Sequence, residues 1–124
     1  IVLRLIDEPE SALLNTQYRG QKKSTNVLSF PYEEDTPPGE IDPLGDIALC
    51  APVIGREAAA QGKTPEAHWA HMVIHGVLHL LGYDHDEDDA ARAMEEEETA
   101  LLRRLGYADP YRIIYLSEET SATL

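Results

Sequence analysis

The stretch TPEAHWAHMVIHGVLHLLG, residues 64–82, decides the fold of this chain because it carries a complete set of helix signals. Thr64 is a residue type preferred at helix N-caps, and Pro65 fits the first helical position, where its missing N–H is not needed. Gly82 is the residue type that ends helices in a left-handed conformation. The stretch therefore predicts a helix from Pro65 to Leu81. Most of its residues other than the histidines are apolar, so we expect the helix to lie buried at the centre of the fold.

Histidines on and just after this helix predict a metal site. His75 and His79 are four residues apart, so their rings project from one helix face, as two ligands of one ion require. A chain reversal at Gly82 brings His85 back towards them, which gives the pattern H-x-x-x-H-x-x-G-x-x-H. Three neutral imidazoles suit one zinc ion per chain. They leave a fourth position open for water, whose pKa zinc lowers to about 7.

Three further residues of metal-binding types, His68, His71 and Cys50, have simpler interpretations. His71 lies one turn and His68 two turns before His75 on the same helix, and we expect both to pack or to hydrogen-bond rather than to bind the ion. Cys50 is the single cysteine of the chain and cannot form an internal disulfide, so we expect it to be a buried packing residue.

The rest of the chain predicts strands and helices in the order of an α+β domain. Alternating apolar residues indicate strands, and glycine and proline mark the ends of helices. We expect a small mixed β-sheet packed on the histidine-bearing helix, in a single catalytic domain over residues 1–124. A strand that begins at residue 1, without an initiator methionine, suggests a truncated N-terminus, and the tail at 112–124 is left unplaced. The predicted strands are Val2–Ile6, Val27–Phe30 and Ile47–Cys50; the other predicted helices are Pro9–Tyr18, with Leu13, Leu14 and Tyr18 facing inward, Pro52–Gln61 and Asp88–Leu105, and a loop is predicted at 33–43.

The net charge of the chain, −13, argues against a nucleic-acid partner, because Lys and Arg drive phosphate binding. The acidic residues are concentrated between Asp84 and Glu98, where we expect a solvated helix face. Arg19, Lys22 and Lys23 form a basic cluster in the N-terminal third, so RNA binding stays compatible with the sequence. No apolar run reaches the roughly 20 residues that cross a bilayer, which predicts a soluble, cytoplasmic protein without a membrane partner.

The spacing of the three histidines matches that of the metzincin proteases, which makes peptide hydrolysis the natural alternative and predicts a zincin-like fold. Those enzymes carry a glutamate, their general base, directly after the first histidine. Gly76 stands at that position here. Without the carboxylate, the site lacks the proton acceptor that peptide cleavage needs, so the sequence disfavours a metalloprotease.

The segment HGVLHLLGYDH, from His75 to His85, resembles the signature of the YbeY family of bacterial rRNA maturation factors. The resemblance implies a metal-dependent, single-strand-specific endoribonuclease that acts in rRNA processing, at the 3′ end of 16S rRNA, and in ribosome quality control. It also implies metal ligands at His75, His79 and His85 and a functional arginine at Arg19. Further segments resemble family landmarks in family order: NTQYRG at 15–20, TNVLSFP at 25–31, LGDI at 44–47, EAHWAH at 66–71 and LGY at 105–107.

For Arg19, the resemblance and elementary chemistry agree. A phosphodiester gains negative charge in the transition state, and a guanidinium offers paired donors that fit its oxygens. The sequence leaves the nucleophile open, as either metal-activated water or the RNA 2′-hydroxyl. It also leaves open a role without catalysis, as a ribosome-associated binding or assembly factor whose metal is chiefly structural. The net acidity favours this alternative, because a negative protein needs a partner to approach RNA.

Overall fold

The computed structural model describes residues 1–32 and 44–111 and has the predicted α+β architecture. Within these ranges, three strands and four helices begin and end within one or two residues of the predicted bounds. The predicted loop at 33–43 and the tail at 112–124 lie outside the described residues. The elements are β1 (Val2–Ile6), α1 (Glu8–Arg19), β2 (Val27–Pro31), β3 (Gly45–Cys50), α2 (Ala51–Ala60), α3 (Pro65–Leu80) and α4 (Asp88–Arg104).

The sheet is mixed, as predicted, and its strand order is β1-β3-β2. β1 runs parallel to β3, with Leu3 opposite Ile47, and β2 runs antiparallel to β3, with Ser29 opposite the same residue. A parallel pair needs a long crossover connection, which here contains α1 and β2. In the described part of the chain β2 is therefore an edge strand, and α3 packs against both β2 and β3.

Apolar side chains are buried on both faces of the sheet. On one face, Ile47 and Leu49 of β3 pack with residues of α2 and α3. On the other face, Leu14 of α1 covers a second, smaller cluster that contains Cys50. Cys50 is fully buried, as expected for a packing residue. The buried members of the first cluster are Val27, Ile47, Leu49, Ile54, Met72 and Leu80, and those of the second are Ile6, Leu28, Ala48 and Cys50.

The prediction that Leu13 and Tyr18 of α1 face inward is wrong, since they are 57% and 66% exposed. Ser11 and Asn15 are buried on this helix instead. The Ser11 hydroxyl donates to the Thr25 carbonyl oxygen at 2.9 Å, and the Asn15 side-chain amide donates to a second carbonyl of the same segment, also at 2.9 Å. The prediction is confirmed for Leu14, which packs against the smaller cluster. The buried positions Ser11 and Asn15 are polar because the chain after α1 folds back on the helix, and the part-buried backbone groups of that segment need hydrogen-bond partners.

α3 begins at the predicted residue and ends one residue early. The Thr64 hydroxyl caps its first turn by accepting from the Ala67 amide at 3.2 Å. Leu81, which we expected inside the helix, is its exposed C-cap residue. Although α3 is apolar, it has 16 residues, and no helix within 1–32 and 44–111 is long and apolar enough to cross a membrane.

Candidate metal centre

A tight turn at the end of α3 returns the chain to the helix. The Gly82 amide donates to the His79 carbonyl at 3.1 Å, and the Tyr83 amide donates to the Leu78 carbonyl at 3.0 Å. This pair of hydrogen bonds forms a Schellman turn, which needs a left-handed residue, and Gly82 has a φ of 98°. The turn brings His85 to the helix face that carries His79, as the sequence predicted.

The structure brings His75, His79 and His85 together. The ring centroids of His75 and His79 lie 4.6 Å apart, and that of His85 lies 5.6 Å from the first and 5.1 Å from the second. One ring nitrogen of each histidine lies within 4.8 Å of the others. His75 and His79 are partly buried and His85 is exposed, so the cluster opens to solvent on the His85 side. This spacing allows all three side chains to bind one ion.

Hydrogen bonds determine which nitrogen carries the proton in the two helical histidines. Nδ1 of His79 lies 3.0 Å from the Tyr83 carbonyl oxygen, which can only accept, so Nδ1–H donates to it. Nδ1 of His75 lies 2.7 Å from Oε1 of Glu98 and donates to it in the same way. In the neutral rings both Nε2 atoms are therefore unprotonated, and they face each other at 3.1 Å. Two lone pairs at this distance repel each other unless they share a cation.

A metal ion would remove this repulsion, and the donor set fits zinc. Tetrahedral zinc binds histidine nitrogens at about 2.0–2.1 Å, which places two such ligands roughly 3.3–3.4 Å apart. The separation of 3.1 Å between the Nε2 atoms of His75 and His79 is close to that value. Burial lowers the pKa of His79, and the neighbouring His75 and His85 lower it further. The ring is therefore neutral at neutral pH, which is the state that binds a metal.

Glu98 of α4 also belongs to this centre, although the sequence analysis placed it in a solvated acidic face. Its side chain is 1% exposed. Oε1 accepts from His75, and Oε2 accepts from Nε2 of His71 and from the Tyr111 hydroxyl, both at 2.6 Å. Burial alone would raise the pKa of the Glu98 carboxyl, but hydrogen bonds from His71, His75 and Tyr111 hold it well below its ordinary value. The buried Glu98 carboxylate is therefore hydrogen-bonded to Nδ1 of His75, a candidate metal ligand.

A helical pattern in the sequence could have identified Glu98 as buried. Met94, Glu98 and Leu102 follow one another at intervals of four residues on α4, and all three are buried. An acidic residue midway between two apolar residues on one helix face is expected to face inward with them. The acidic residues of 84–89, together with Glu95 and Glu96, are exposed, so the prediction of a solvated face is correct for most of the run.

His68 and His71 lie outside the three-histidine cluster. Both are buried, His71 against Glu98 and His68 with its Nε2 atom 3.0 Å from a carboxylate oxygen of Glu57. Burial lowers the pKa of His68. His71, His75 and Glu98 also lie close enough together to form a second ligand set. Their separations of 2.6 and 2.7 Å are hydrogen-bond lengths, so protons rather than an ion lie between them.

The three histidines line a groove that also contains Arg19. The groove has a volume of about 680 Å³ and lies between the end of α1, β2 and the turn after α3. Arg19 is the last residue of α1, because Gly20 follows it in the left-handed conformation that ends the helix. Lys22 and Lys23, which the sequence grouped with Arg19, are not lining residues. The described lining residues are Tyr18, Arg19, those at 25–31, His75, His79, Asp84, His85 and Asp86.

Gly76 allows α3 to approach the sheet closely. A Cβ atom at this position would lie 2.8 Å from Cγ2 of Ile47 and 3.3 Å from Oγ of Ser29, closer than ordinary van der Waals contact. The Ser29 hydroxyl donates to the Gly76 carbonyl at 2.8 Å and holds β2 against the helix. A glutamate at position 76 would enter this packed contact, so the arrangement of the metzincin general base does not fit here.

We expect Gly76→Ala to lower the free energy of unfolding. Ile47 is β-branched and fully buried, so it cannot move aside easily, and overpacking of this kind costs about 1–3 kcal/mol. This cost exceeds the roughly 0.5–1 kcal/mol that alanine gains over glycine in a helix. Urea unfolding of both proteins measures the difference.

Gly55→Ala is the matched control, since a Cβ atom at Gly55 of α2 meets nothing within 4 Å. This variant should gain about 0.5–1 kcal/mol. Equal stabilisation by the two substitutions would mean that the close contact between α3 and the sheet does not exist in solution.

Comparisons with known proteins cover most of the chain. The family model described as Endoribonuclease YbeY matches residues 1–106, which include Arg19, His75, His79 and His85. Among solved structures, the chain is similar to the solution structure of TM1509 from Thermotoga maritima, with a TM-score of 0.55 and 37% sequence identity. The match covers 81% of this chain and 63% of that one. This chain thus spans less than two thirds of the length of that relative.

Proposed function

Because this chain belongs to the YbeY endoribonuclease family, we propose that it is a metal-dependent hydrolase that cleaves single-stranded RNA. The observation that carries this proposal is the convergence of His75, His79 and His85 beside Arg19 in one groove. The ion we propose is zinc, one per chain, because three histidine ligands with an open side are typical of catalytic zinc. Arg19, His75, His79 and His85 are the proposed catalytic residues.

The groove residues have separate tasks in this reaction. When bound, the ion would act as a Lewis acid on a phosphate oxygen and would lower the pKa of a water molecule. His75, His79 and His85 would hold the ion, and the hydrogen bond from Nδ1 of His79 to the Tyr83 carbonyl leaves Nε2 of that ring free to bind it. The Arg19 guanidinium donates paired hydrogen bonds to the phosphate and stabilises the negative charge that develops there.

Aromatic residues in the groove favour a single-stranded substrate. The exposed ring of Tyr18 lies edge-on to Phe30, with a centroid distance of 4.7 Å and an interplanar angle of 65°. Such a supported ring can stack on an unpaired base, which a duplex does not offer because its bases are already stacked. Tyr18 is adjacent to Arg19, so stacking and phosphate binding would act on neighbouring parts of one strand.

For the biological role, we propose maturation of rRNA in the cytoplasm, at the 3′ end of 16S rRNA, and a part in ribosome quality control. A net charge of −13 opposes binding to naked RNA, so we propose that the ribosome or ribosomal proteins bring enzyme and substrate together. The same proposal includes a zincin-like arrangement around a central α3 and a single catalytic domain over residues 1–124.

The same charge favours a second candidate function, a ribosome-associated assembly factor whose metal is structural. In this role the ion would add folding free energy to a small domain, and Arg19 would dock RNA without taking part in cleavage. The two functions differ in one measurable respect, which is turnover of RNA by the purified protein.

The test is cleavage of a single-stranded rRNA fragment, and of the same fragment in a duplex, by the zinc-loaded protein. We expect the single strand to be cut, a chelator to stop the reaction and added zinc to restore it. RNA binding without cleavage would favour the assembly factor. Chelator-sensitive cleavage of an unstructured protein, with RNA left intact, would favour a metalloprotease, the function that the sequence disfavours because Gly76 stands in place of the catalytic glutamate.

A further inference from the structure

We propose that Glu98 is a positioning residue of the metal centre, whose buried carboxylate holds His75 in the tautomer that presents Nε2 to the ion. The inference rests on the proposed metal site and adds a residue to it. Glu98 comes from α4, 23 positions after His75 in the chain, and is not a lining residue of the groove. It therefore acts through His75 and does not touch the substrate.

The argument begins with the imidazole of His75. A neutral imidazole carries one proton, which can sit on either ring nitrogen. Oε1 of Glu98, 2.7 Å from Nδ1, keeps the proton on that nitrogen, so Nε2 keeps its lone pair. The opposite tautomer would leave a carboxylate oxygen against a lone pair and would place a proton where the ion binds. Carboxylates behind metal-binding histidines commonly orient the ring and raise its basicity.

Two other residues hold Glu98 in place. Nε2 of His71 and the Tyr111 hydroxyl both donate to Oε2 at 2.6 Å, so each carboxylate oxygen has at least one donor. The Tyr111 ring lies edge-on to His71, with centroids 5.7 Å apart, and the Asp109 carboxylate accepts from the Tyr111 amide at 2.8 Å. Burial and the hydrogen bond to Glu98 raise the pKa of Tyr111, so the hydroxyl remains a donor. Tyr111 lies beyond residues 1–106, the part that the family model matches.

A purely structural role for Glu98 is the alternative, in which it only joins α4 to α3. In that case Glu98→Gln would weaken the fold but leave the zinc affinity of the folded protein unchanged. The positioning role predicts a different result. An amide has only one acceptor oxygen, so glutamine can match the donors on one side of the carboxylate at most, and its side chain carries no negative charge beside Nδ1 of His75.

The experiment measures zinc affinity by competition with a chromophoric chelator at constant pH, for the wild type, Glu98→Gln, Glu98→Asp and Glu96→Gln. Glu98→Gln should bind zinc about 10–100-fold more weakly. Glu98→Asp keeps the charge and should recover part of the loss. Glu96→Gln removes an exposed charge from the same helix and should bind zinc as the wild type does. Equal affinity of Glu98→Gln and the wild type would overturn the inference.

Long-range ¹H–¹⁵N spectra of the metal-free wild type supply a second readout that does not depend on a folded variant. For the neutral ring they should show His75 protonated at Nδ1, and a neutral ring with its proton on Nε2 would contradict the positioning role. A wild type that binds no zinc would instead count against the proposed function itself, so the two failures can be told apart.

Discussion

His79→Ala and His85→Ala proteins are expected to lose both their zinc and their metal-dependent RNA cleavage. Each substitution leaves two of the three nitrogen ligands, and His79→Ala also removes one of the two Nε2 atoms that face each other at 3.1 Å. Even groups that only support a metal ligand are worth about 10–100-fold in metal affinity, so loss of a ligand should exceed about 100-fold. Elemental analysis of dialysed protein and cleavage of a single-stranded rRNA fragment measure the two effects.

His85→Ala separates loss of metal from loss of fold. His85 is exposed, so its truncation leaves no cavity, and the metal-free variant should unfold at the same temperature as the metal-free wild type. Zinc at 100 times its Kd should stabilise the wild type by about 2.7 kcal/mol and leave the variant unchanged. Unchanged metal content in both His79→Ala and His85→Ala would remove the three-histidine site from the proposed function.

Arg19→Ala is expected to depress RNA cleavage by about 10²-fold or more while leaving zinc content and fold intact. Arg19 lines the same groove as the three histidines, where an electrostatic stabiliser of the transition state would be worth that much in turnover. Arg19→Lys should rescue only part of the loss, because an ammonium keeps the charge but lacks the planar pair of donors. Single-turnover cleavage at saturating protein is the measurement, since it hides a binding defect and leaves a chemical one visible.

Lys22→Ala provides the matched control for Arg19→Ala. Lys22 is an exposed cation three residues further along the chain, but it does not line the groove. Its loss should weaken RNA binding slightly at low salt and leave the single-turnover rate unchanged. A normal single-turnover rate for Arg19→Ala would mean that Arg19 only helps to bind RNA. The proposed metal centre would then be the remaining catalytic element.

The polar face of α1 shows where reasoning from the sequence fails. Apolar periodicity placed Leu13 and Tyr18 inside, yet the buried positions are Ser11 and Asn15. The periodicity of a short helix gives the inward face only when that face packs on other side chains. Here only Leu14 packs on side chains, while Ser11 and Asn15 pack on backbone, whose carbonyl groups need donors. The path of the backbone after α1 cannot be deduced from the helix itself.

The sequence by itself determined the helix that carries His75 and His79, the interval between these two residues, and the turn that returns His85. Each of these depends on groups within a few residues of one another: the Thr64 cap, the 3.6-residue period and the left-handed Gly82. Local steric and hydrogen-bonding rules act at that range, so the sequence pattern was sufficient to predict these three features.

Only the tertiary structure decided which distant groups meet the histidines. Glu98 reaches His75 across 23 positions because α4 packs on α3. Arg19 reaches the groove because α1 ends beside β2, where the Tyr18 ring contacts Phe30. Of the acidic residues of α4, Glu98 is buried against α3 and accepts hydrogen bonds, whereas its neighbours Glu95 and Glu96 are exposed to solvent. The free energy that selects such a partner comes from burial and packing between whole elements, which no short stretch of sequence contains.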